Sequence, residues 1–290
     1  MPTPAARLRD LIARPDGLLL PGAANALTAR IVEDLGFDAV YLTGAGVTNT
    51  YLGLPDLGFV SLTEMAAHVA AICEVVELPL VVDADTGYGN AVNLGRAVRV
   101  LERAGAAAIQ VEDQVAPKKC GHFDGQEVIS GQEMVQKLHA AVDARRDADT
   151  MIVARTDARA AHGLTEALDR ANAYAEAGAD LLFVEGLRNE DELRAAGAAV
   201  PGTPKLANIV EGGKTPMLPR ARLRELGFAV ILYANAALQG AVHGSTEVLS
   251  GLRDHGTLEP VIDRLTPWAR RQQLVRHEHY QELEQRYRAE

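Results

Sequence analysis

Eight short apolar runs, each followed by a helical pattern, limit what this chain can fold into more than any other feature. They lie at 18–20, 39–43, 80–85, 107–113, 151–157, 180–186, 205–210 and 229–235. They are apolar without alternation, as expected for strands covered on both faces. Between them lie amphipathic stretches at 62–76, 92–104, 133–144, 165–177 and 220–226. Gly36, Gly105, Gly178 and Gly227 each precede a run and suit helix C-caps. Eight strand–helix alternations in 290 residues predict an α/β fold, a closed (β/α)8 TIM barrel rather than an open doubly wound sheet. No internal linker is visible, so 1–290 reads as one domain.

After the eighth unit, 258–290 is helical and charged, with Trp268, Tyr280 and Tyr287. This C-terminal arm of the same domain either packs on the outside of the barrel or docks on a neighbouring subunit. Spacing alone does not choose.

A hydrophobic content of 48% is ample for a large core. The net charge of −10 and pI of about 5.3 argue against nucleic acid, which selects a basic face. An anionic small substrate stays compatible, because a metal and a few Arg and Lys can invert the field inside a pocket. No apolar run approaches the ~18 residues of a membrane span, and 1–15 lacks a signal-peptide core. The two cysteines, Cys73 and Cys120, cannot make a disulfide framework. Cys73 lies in an apolar helical context and reads as a small buried hydrophobe. The expected compartment is the reducing cytoplasm, with no membrane partner.

In a barrel, chemistry gathers where strands end, and these ends are polar. Run two ends at Tyr41 and Thr43, then Gly44 and Ala45; run three at Asp83 and Asp85; run four at Glu112 and Asp113. Run five ends at Arg155-Thr156-Asp157, run six at Glu185 and run seven at Asn208. One such end is unremarkable, a helix cap or a solvated acid. Five in succession require a shared counterion or ligand.

Asp83, Asp85 and Glu112 form an oxygen-only set, which suits Mg²⁺ or Mn²⁺ rather than Zn²⁺. Thr86-Gly87-Tyr88-Gly89 lacks the Lys-Ser/Thr pair of a Walker phosphate loop. Arg155 suits a substrate carboxylate. The loop after Glu112 holds Pro117, Lys118, Lys119, Cys120, Gly121 and His122. Positive neighbours make a thiol useful in proton transfer near neutral pH. Nucleophilic catalysis by Cys120 stays open, although no His/Asn pair at a recognisable spacing accompanies it.

These stretches carry a resemblance along nearly the whole chain. Leu52-Gly53-Leu54-Pro55-Asp56, Asp83-Ala84-Asp85-Thr86-Gly87-Tyr88-Gly89-Asn90, Glu112-Asp113-Gln114 with Pro117-Lys118-Lys119-Cys120-Gly121-His122, Ala154-Arg155-Thr156-Asp157-Ala158 and Asn208-Ile209-Val210-Glu211-Gly212-Gly213-Lys214-Thr215-Pro216 are all similar to the isocitrate lyase/phosphoenolpyruvate mutase superfamily. The Lys-Cys-Gly-His loop resembles its carbon–carbon lyases. Phosphonopyruvate mutases and hydrolases lack that cysteine, whereas carboxyphosphonoenolpyruvate mutases share the loop. The 158–164 segment and the Glu-Gly-Gly-Lys-Thr-Pro stretch look most like the plant petal-death and dimethylmalate lyase branch, which acts on 2-alkylmalates and oxaloacetate. Methylisocitrate-type lyases carry Pro-Leu-Ser or Pro-Leu-Thr after the eighth strand. Here the chain reads Tyr233-Ala234-Asn235-Ala236-Ala237, a departure at the distal carboxylate pocket.

The resemblance implies a homotetramer, a dimer of dimers, with the eighth helix exchanged between paired subunits. It implies Mg²⁺ near Asp56, Asp83, Asp85 and Glu112. An α-keto acid would be held by Thr43, Gly44, Ala45, Gly121 and Arg155, and the rest of the substrate by Glu185 and Asn208. The implied reaction is retro-aldol cleavage of a 2-hydroxy di- or tricarboxylate to an α-keto acid and a second acid. Tyr41, or a water on the acidic cluster, takes the hydroxyl proton. Lys118, His122 and Arg155 offset the developing charge, and Cys120 protonates the enolate carbon. Oxaloacetate decarboxylation or hydrolysis, phosphonate transfer, and an idle keto-acid sensor are the alternatives.

Overall fold

A computed structural model describes residues 2–119 and 125–289. Its strands are β1 (Leu18–Ala23), β2 (Val40–Leu42), β3 (Leu80–Asp83), β4 (Ala108–Glu112), β5 (Met151–Thr156), β6 (Leu181–Val184), β7 (Lys205–Asn208) and β8 (Val230–Tyr233). All eight are parallel, each pairs with the next, and β8 closes on β1 with Leu18 opposite Val230. The closed (β/α)8 barrel expected from the apolar runs is the fold observed.

Alternation inside those continuous runs decides what faces the barrel axis. Tyr41, Val81, Ala108, Val153, Leu181, Phe183, Leu206, Val230 and Leu232 fill the interior. Their neighbours Val40, Leu42, Val82, Ile109, Val111, Ile152, Ala154 and Leu182 point outward into the layer of helices. The helix Pro4–Ile12 was not read from the sequence. Thr3 caps it, and its Ala5, Leu8, Leu11 and Ile12 plug the N-terminal mouth as part of the interior cluster. That end of the barrel is filled by the helix.

The outer helices Leu62–Cys73, Ala91–Ala104, Gly131–Ala144, Leu164–Glu176 and Arg220–Glu225 match the amphipathic stretches within three residues at either end. Ser61 and Glu64 form a capping box at the first of them. Gly36, Gly105, Gly178 and Gly227 all have positive φ, as C-caps require. Cys73 is half-buried, and burial pushes its thiol up to about 11, which leaves it unreactive.

The C-terminal region departs from barrel packing. The helix Ala236–His255 follows β8 yet buries none of its residues, and Val242 and Leu249 remain exposed. The helices Trp268–Leu274 and His277–Arg286 also bury nothing. Arg270 and Arg276 of the arm pair with Asp34 and Glu33 on the helix Ala26–Asp34. Among the described residues no helix is long and apolar enough to cross a membrane.

Candidate active site

Inward parity and the C-terminal end together select the site. Asp83, Glu112, Arg155, Glu185 and Asn208 each stand two positions beyond an interior apolar residue or interior Gln110, so each points to the axis at the open mouth. A cavity of about 40 Å³ there is lined by Tyr41, Thr43, Ala45, Asp56, Asp83, Lys118, Arg155, Glu185 and Asn208. Nine of the expected residues thus share one cavity; Gly44, Asp85 and Glu112 are bonded to its lining. Cys120, Gly121 and His122 lie outside the described residues.

Asp83 is the hub of the acidic side. It accepts from Gly44 N (3.2 Å), Asp85 N (3.2 Å) and Gln110 Nε2 (3.2 Å). A Cβ on Gly44 would lie 3.0 Å from both Asp83 Oδ2 and Asp85 Oδ1, so a side chain there would press on both carboxylates. Gln110, fully buried, also accepts from Tyr41 Oη at 3.0 Å. Sequence reading missed Gln110; its signal was a polar residue two positions before Glu112, on the same inward parity. Burial and then Asp83 push the Tyr41 phenol well above its ordinary pKa. Tyr41 therefore stays a neutral donor, which suits it to stabilising an oxyanion better than to abstracting a proton.

Lys118 crosses to the acids. Its Nζ lies 2.5 Å from Asp56 Oδ1 and 2.9 Å from Asp85 Oδ1, the latter an ion pair without hydrogen-bond geometry. Burial lowers and the surrounding carboxylates raise its pKa; the carboxylates win and the ammonium is held charged. Arg155 is fenced similarly. Nε and Nη2 clasp Asp157 at 2.9 and 2.8 Å, Nη1 lies 3.3 Å from Glu112, and the plane covers the Phe183 ring at 5.2 Å. With the Nε edge taken by Asp157, the Nη1/Nη2 end is the part turned towards Glu112 and, at 3.7 Å from Nη2, Glu185. Asp157, read only as part of a strand end, is the residue that fixes this orientation.

Among the described residues, no three acids close on one metal-sized point; Asp56 and Asp85 converge on the Lys118 ammonium. The donor chemistry nevertheless fits a hard divalent cation. The set is oxygen-only, and Glu112 Oε1 and Asp85 Oδ1 are buried without hydrogen-bond partners. Burial, with Asp83 and Asp56 nearby, pushes the Asp85 carboxyl up to about 7, while burial raises Glu112 well above the ordinary range. A cation would relieve this excess of buried carboxylate.

Backing the site are residues of outward parity. Asp113, fully buried, accepts from Thr156 Oγ1 (2.7 Å), Tyr174 Oη (2.8 Å), Asp157 N (2.9 Å) and Arg170 Nη1 (3.1 Å). Gln114 accepts from Lys119 N and donates to Lys119 O, both at 2.9 Å, and Lys119 Nζ reaches Gly125 O at 3.0 Å. The chain entering and leaving 120–124 is thereby tied to the end of β4.

Comparison with known proteins shows the family. The family model for phosphoenolpyruvate phosphomutase matches residues 8–253. The 2,3-dimethylmalate lyase of Eubacterium barkeri is 45% identical over 283 residues, 98% of each chain. A 2-methylisocitrate lyase of Aeropyrum pernix is 46% identical over 262 residues, 90% of this chain and 84% of the relative. The crystal structure of a phosphonopyruvate hydrolase in complex with oxalate and Mg²⁺ is similar at a TM-score of 0.89 and 32% identity, covering 99% of both chains. A phosphomutase-family match across most of the barrel, joined to lyase relatives covering nearly the whole chain, means that it belongs to the isocitrate lyase/phosphoenolpyruvate mutase superfamily, on its carbon–carbon lyase side.

Proposed function

We propose that this chain is a Mg²⁺-dependent oxo-acid lyase. It cleaves a 2-hydroxy dicarboxylate of the 2-alkylmalate type to an α-keto acid such as pyruvate and a second carboxylic acid. The observation that carries the reading is the convergence of Asp56, Asp83, Asp85 and Glu112 with Lys118 and Arg155 at one barrel mouth. Val210, Leu232 and Ala234 line the cavity beside Asn235, which supports an alkyl substituent over a third carboxylate.

Asp56, Asp83, Asp85 and Glu112 would hold Mg²⁺, with Mn²⁺ a substitute of the same donor preference. When bound, the ion supplies Lewis-acid stabilisation of negative charge on the substrate oxygens. The substrate hydroxyl loses its proton to a water on the acidic cluster. As the bond between C2 and C3 breaks, its electron pair passes to the enolate of the departing acid and C2 becomes the keto carbon. The Tyr41 hydroxyl, the Arg155 Nη groups and the Lys118 ammonium hold the developing negative charge; Thr43, Gly44 and Ala45 position the keto-acid half. Glu185 and Asn208, joined by a 3.1 Å hydrogen bond, orient the remainder. Cys120 then gives its proton to the enolate carbon, with Gly121 and His122 beside it on the loop.

The reading extends to assembly. The barrel and its 258–290 arm form one domain, and the unburied helix Ala236–His255, with Val242 and Leu249 exposed, supports exchange of this helix with a second copy in a homotetramer.

Turnover with Mg²⁺ against 2,3-dimethylmalate, 2-methylmalate, 2-methylisocitrate and oxaloacetate tests the function. Pyruvate with propionate or acetate is the expected product pair. Oxalate with acetate from oxaloacetate alone would replace the lyase reading by hydrolysis. Silence across the panel would refute both.

A pH experiment tests the metal. The Asp85 carboxyl titrates near 7 in the metal-free fold, above its unfolded value. Its contribution to stability is therefore present below about pH 4 and is lost as pH rises from about 4 towards 7, where the fold must accommodate the anion. Mg²⁺ binds that anion. The rise in melting temperature on adding Mg²⁺ is expected to be small at pH 5 and to grow through pH 8, measured by scanning calorimetry. A Mg²⁺ effect that is absent, or constant over this range, counts against these carboxylates as its ligands.

A further inference from the structure

The loop that follows β3 holds a hydroxyl that neither the fold nor the proposed reaction has used. Tyr88 is partly exposed and packs its ring against the outer core. Its phenolic oxygen, however, is buried and has no hydrogen-bond partner. A buried unpaired hydroxyl destabilises a fold and needs an explanation. Its position supplies one. Apart from burial, the charged groups that bear on this phenol are Asp85, Asp83 and Lys118, the members of the acidic cluster.

The backbone is arranged to hold it there. Asp85, Gly87, Tyr88 and Gly89 all have positive φ, at 48°, 83°, 61° and 138°. A tyrosine in that region is strained, because its Cβ crowds the backbone. The strain persists because the loop is pinned from outside. Lys137 is a buried lysine of the helix Gly131–Ala144. Its Nζ donates to Thr86 O at 2.6 Å and Gly89 O at 3.0 Å, the carbonyls that bracket Tyr88. An ammonium held by two carbonyls is a strong clamp, as charge-assisted bonds outweigh neutral ones.

We infer that the Tyr88 hydroxyl is a positioning residue of the cation site, its oxygen accepting a hydrogen bond from a water carried by the divalent ion beside Asp85. This rests on the Mg²⁺ reading above. A hydroxyl oxygen suits that place because waters on a divalent cation are polarised into strong donors, and acceptors behind the ligands orient them. Tyr88 makes no bond to substrate carbon and exchanges no proton in the reaction; its action is on the geometry and affinity of the ion.

The test is Tyr88→Phe, which deletes one oxygen and keeps the ring. Mg²⁺ affinity is read by calorimetry on the wild-type and Y88F proteins, alongside melting curves without metal. The expected result is a Mg²⁺ dissociation constant raised roughly tenfold in Y88F, while the metal-free variant melts no lower than the wild type. A purely structural tyrosine would show the reverse pattern, a lower metal-free melting temperature with unchanged Mg²⁺ affinity, and would overturn the inference. Should Y88F fold poorly, the wild-type protein still answers. Mg²⁺ titration is expected to perturb tyrosine absorption in the near ultraviolet, and a flat titration overturns the assignment. A wild-type protein that binds no Mg²⁺ removes the metal reading and this inference together. Equal affinities in the two proteins remove this inference alone.

Discussion

Replacing Cys120 by Ser is expected to lower kcat by about 10²–10⁴, with Mg²⁺ affinity measured by calorimetry unchanged. The reason is proton supply. A serine hydroxyl is a far weaker acid than a thiol, so it gives its proton to an enolate carbon only slowly. The described residues that flank the loop support the proposed role. Lys118, two residues before it, is ion-paired with Asp56 and Asp85 inside the mouth. Lys119 is clasped by Gln114 and reaches across to Gly125. The described residues on either side of 120–124 are thus joined to each other, and Lys118 to the acidic cluster. A C120S protein that turned over at the wild-type rate would eliminate the thiol as the acid and return the role to water or His122. A C120S protein that lost Mg²⁺ as well as activity would instead make the loop part of the metal site.

Which parts of this molecule could be read from the sequence follows from the physics of parallel barrels. Strands covered on both faces give continuous apolar runs, so all eight units stood out. Their ends stood out because Asp83, Glu112, Arg155, Glu185 and Asn208 break apolar runs at one end only. The partners of these residues were hidden. Asp157 clasps Arg155 locally, but Arg170 and Tyr174 lie 57 and 61 positions beyond Asp113, and Lys137 lies 51 beyond Thr86. Such pairs depend on how outer helices pack against strands, which no local period records. The Pro4–Ile12 helix was missed for a related reason: its apolar residues gain their place only once a barrel exists for it to plug. One signal was present and unused. Counting parity along β4 and β5 separates Glu112 and Arg155, which face the axis, from Asp113 and Thr156, which face the helices.

That parity makes Asp113 the stability counterpart of Glu112. Asp113→Ala is expected to cost about 3–5 kcal/mol, the cost of removing one partner from a buried ion pair. Its carboxylate accepts from Thr156 Oγ1, Tyr174 Oη, Asp157 N and Arg170 Nη1, and it is 0% exposed. The variant strands four donors, one of them charged. Arg170 keeps Glu166 at 2.8 Å and the Ile129 carbonyl at 2.8 Å, which moderates the loss without replacing the missing anion. For a chain of this size the melting temperature should drop on the order of 10 °C. Tyr174→Phe removes one neutral donor and should cost only about 1 kcal/mol; Thr156→Val also strands Ala158 N and should cost somewhat more, though less than D113A. Calorimetric melts of the three variants give the ranking directly. Equal losses in D113A and Y174F would mean that the carboxylate does little beyond accepting the phenol. The expected ranking would show that the same strand end divides its labour by parity. Glu112 turns inward to the barrel axis and Arg155, while Asp113 locks β4, β5 and the helix Leu164–Glu176 into the frame that holds Asp157 against Arg155.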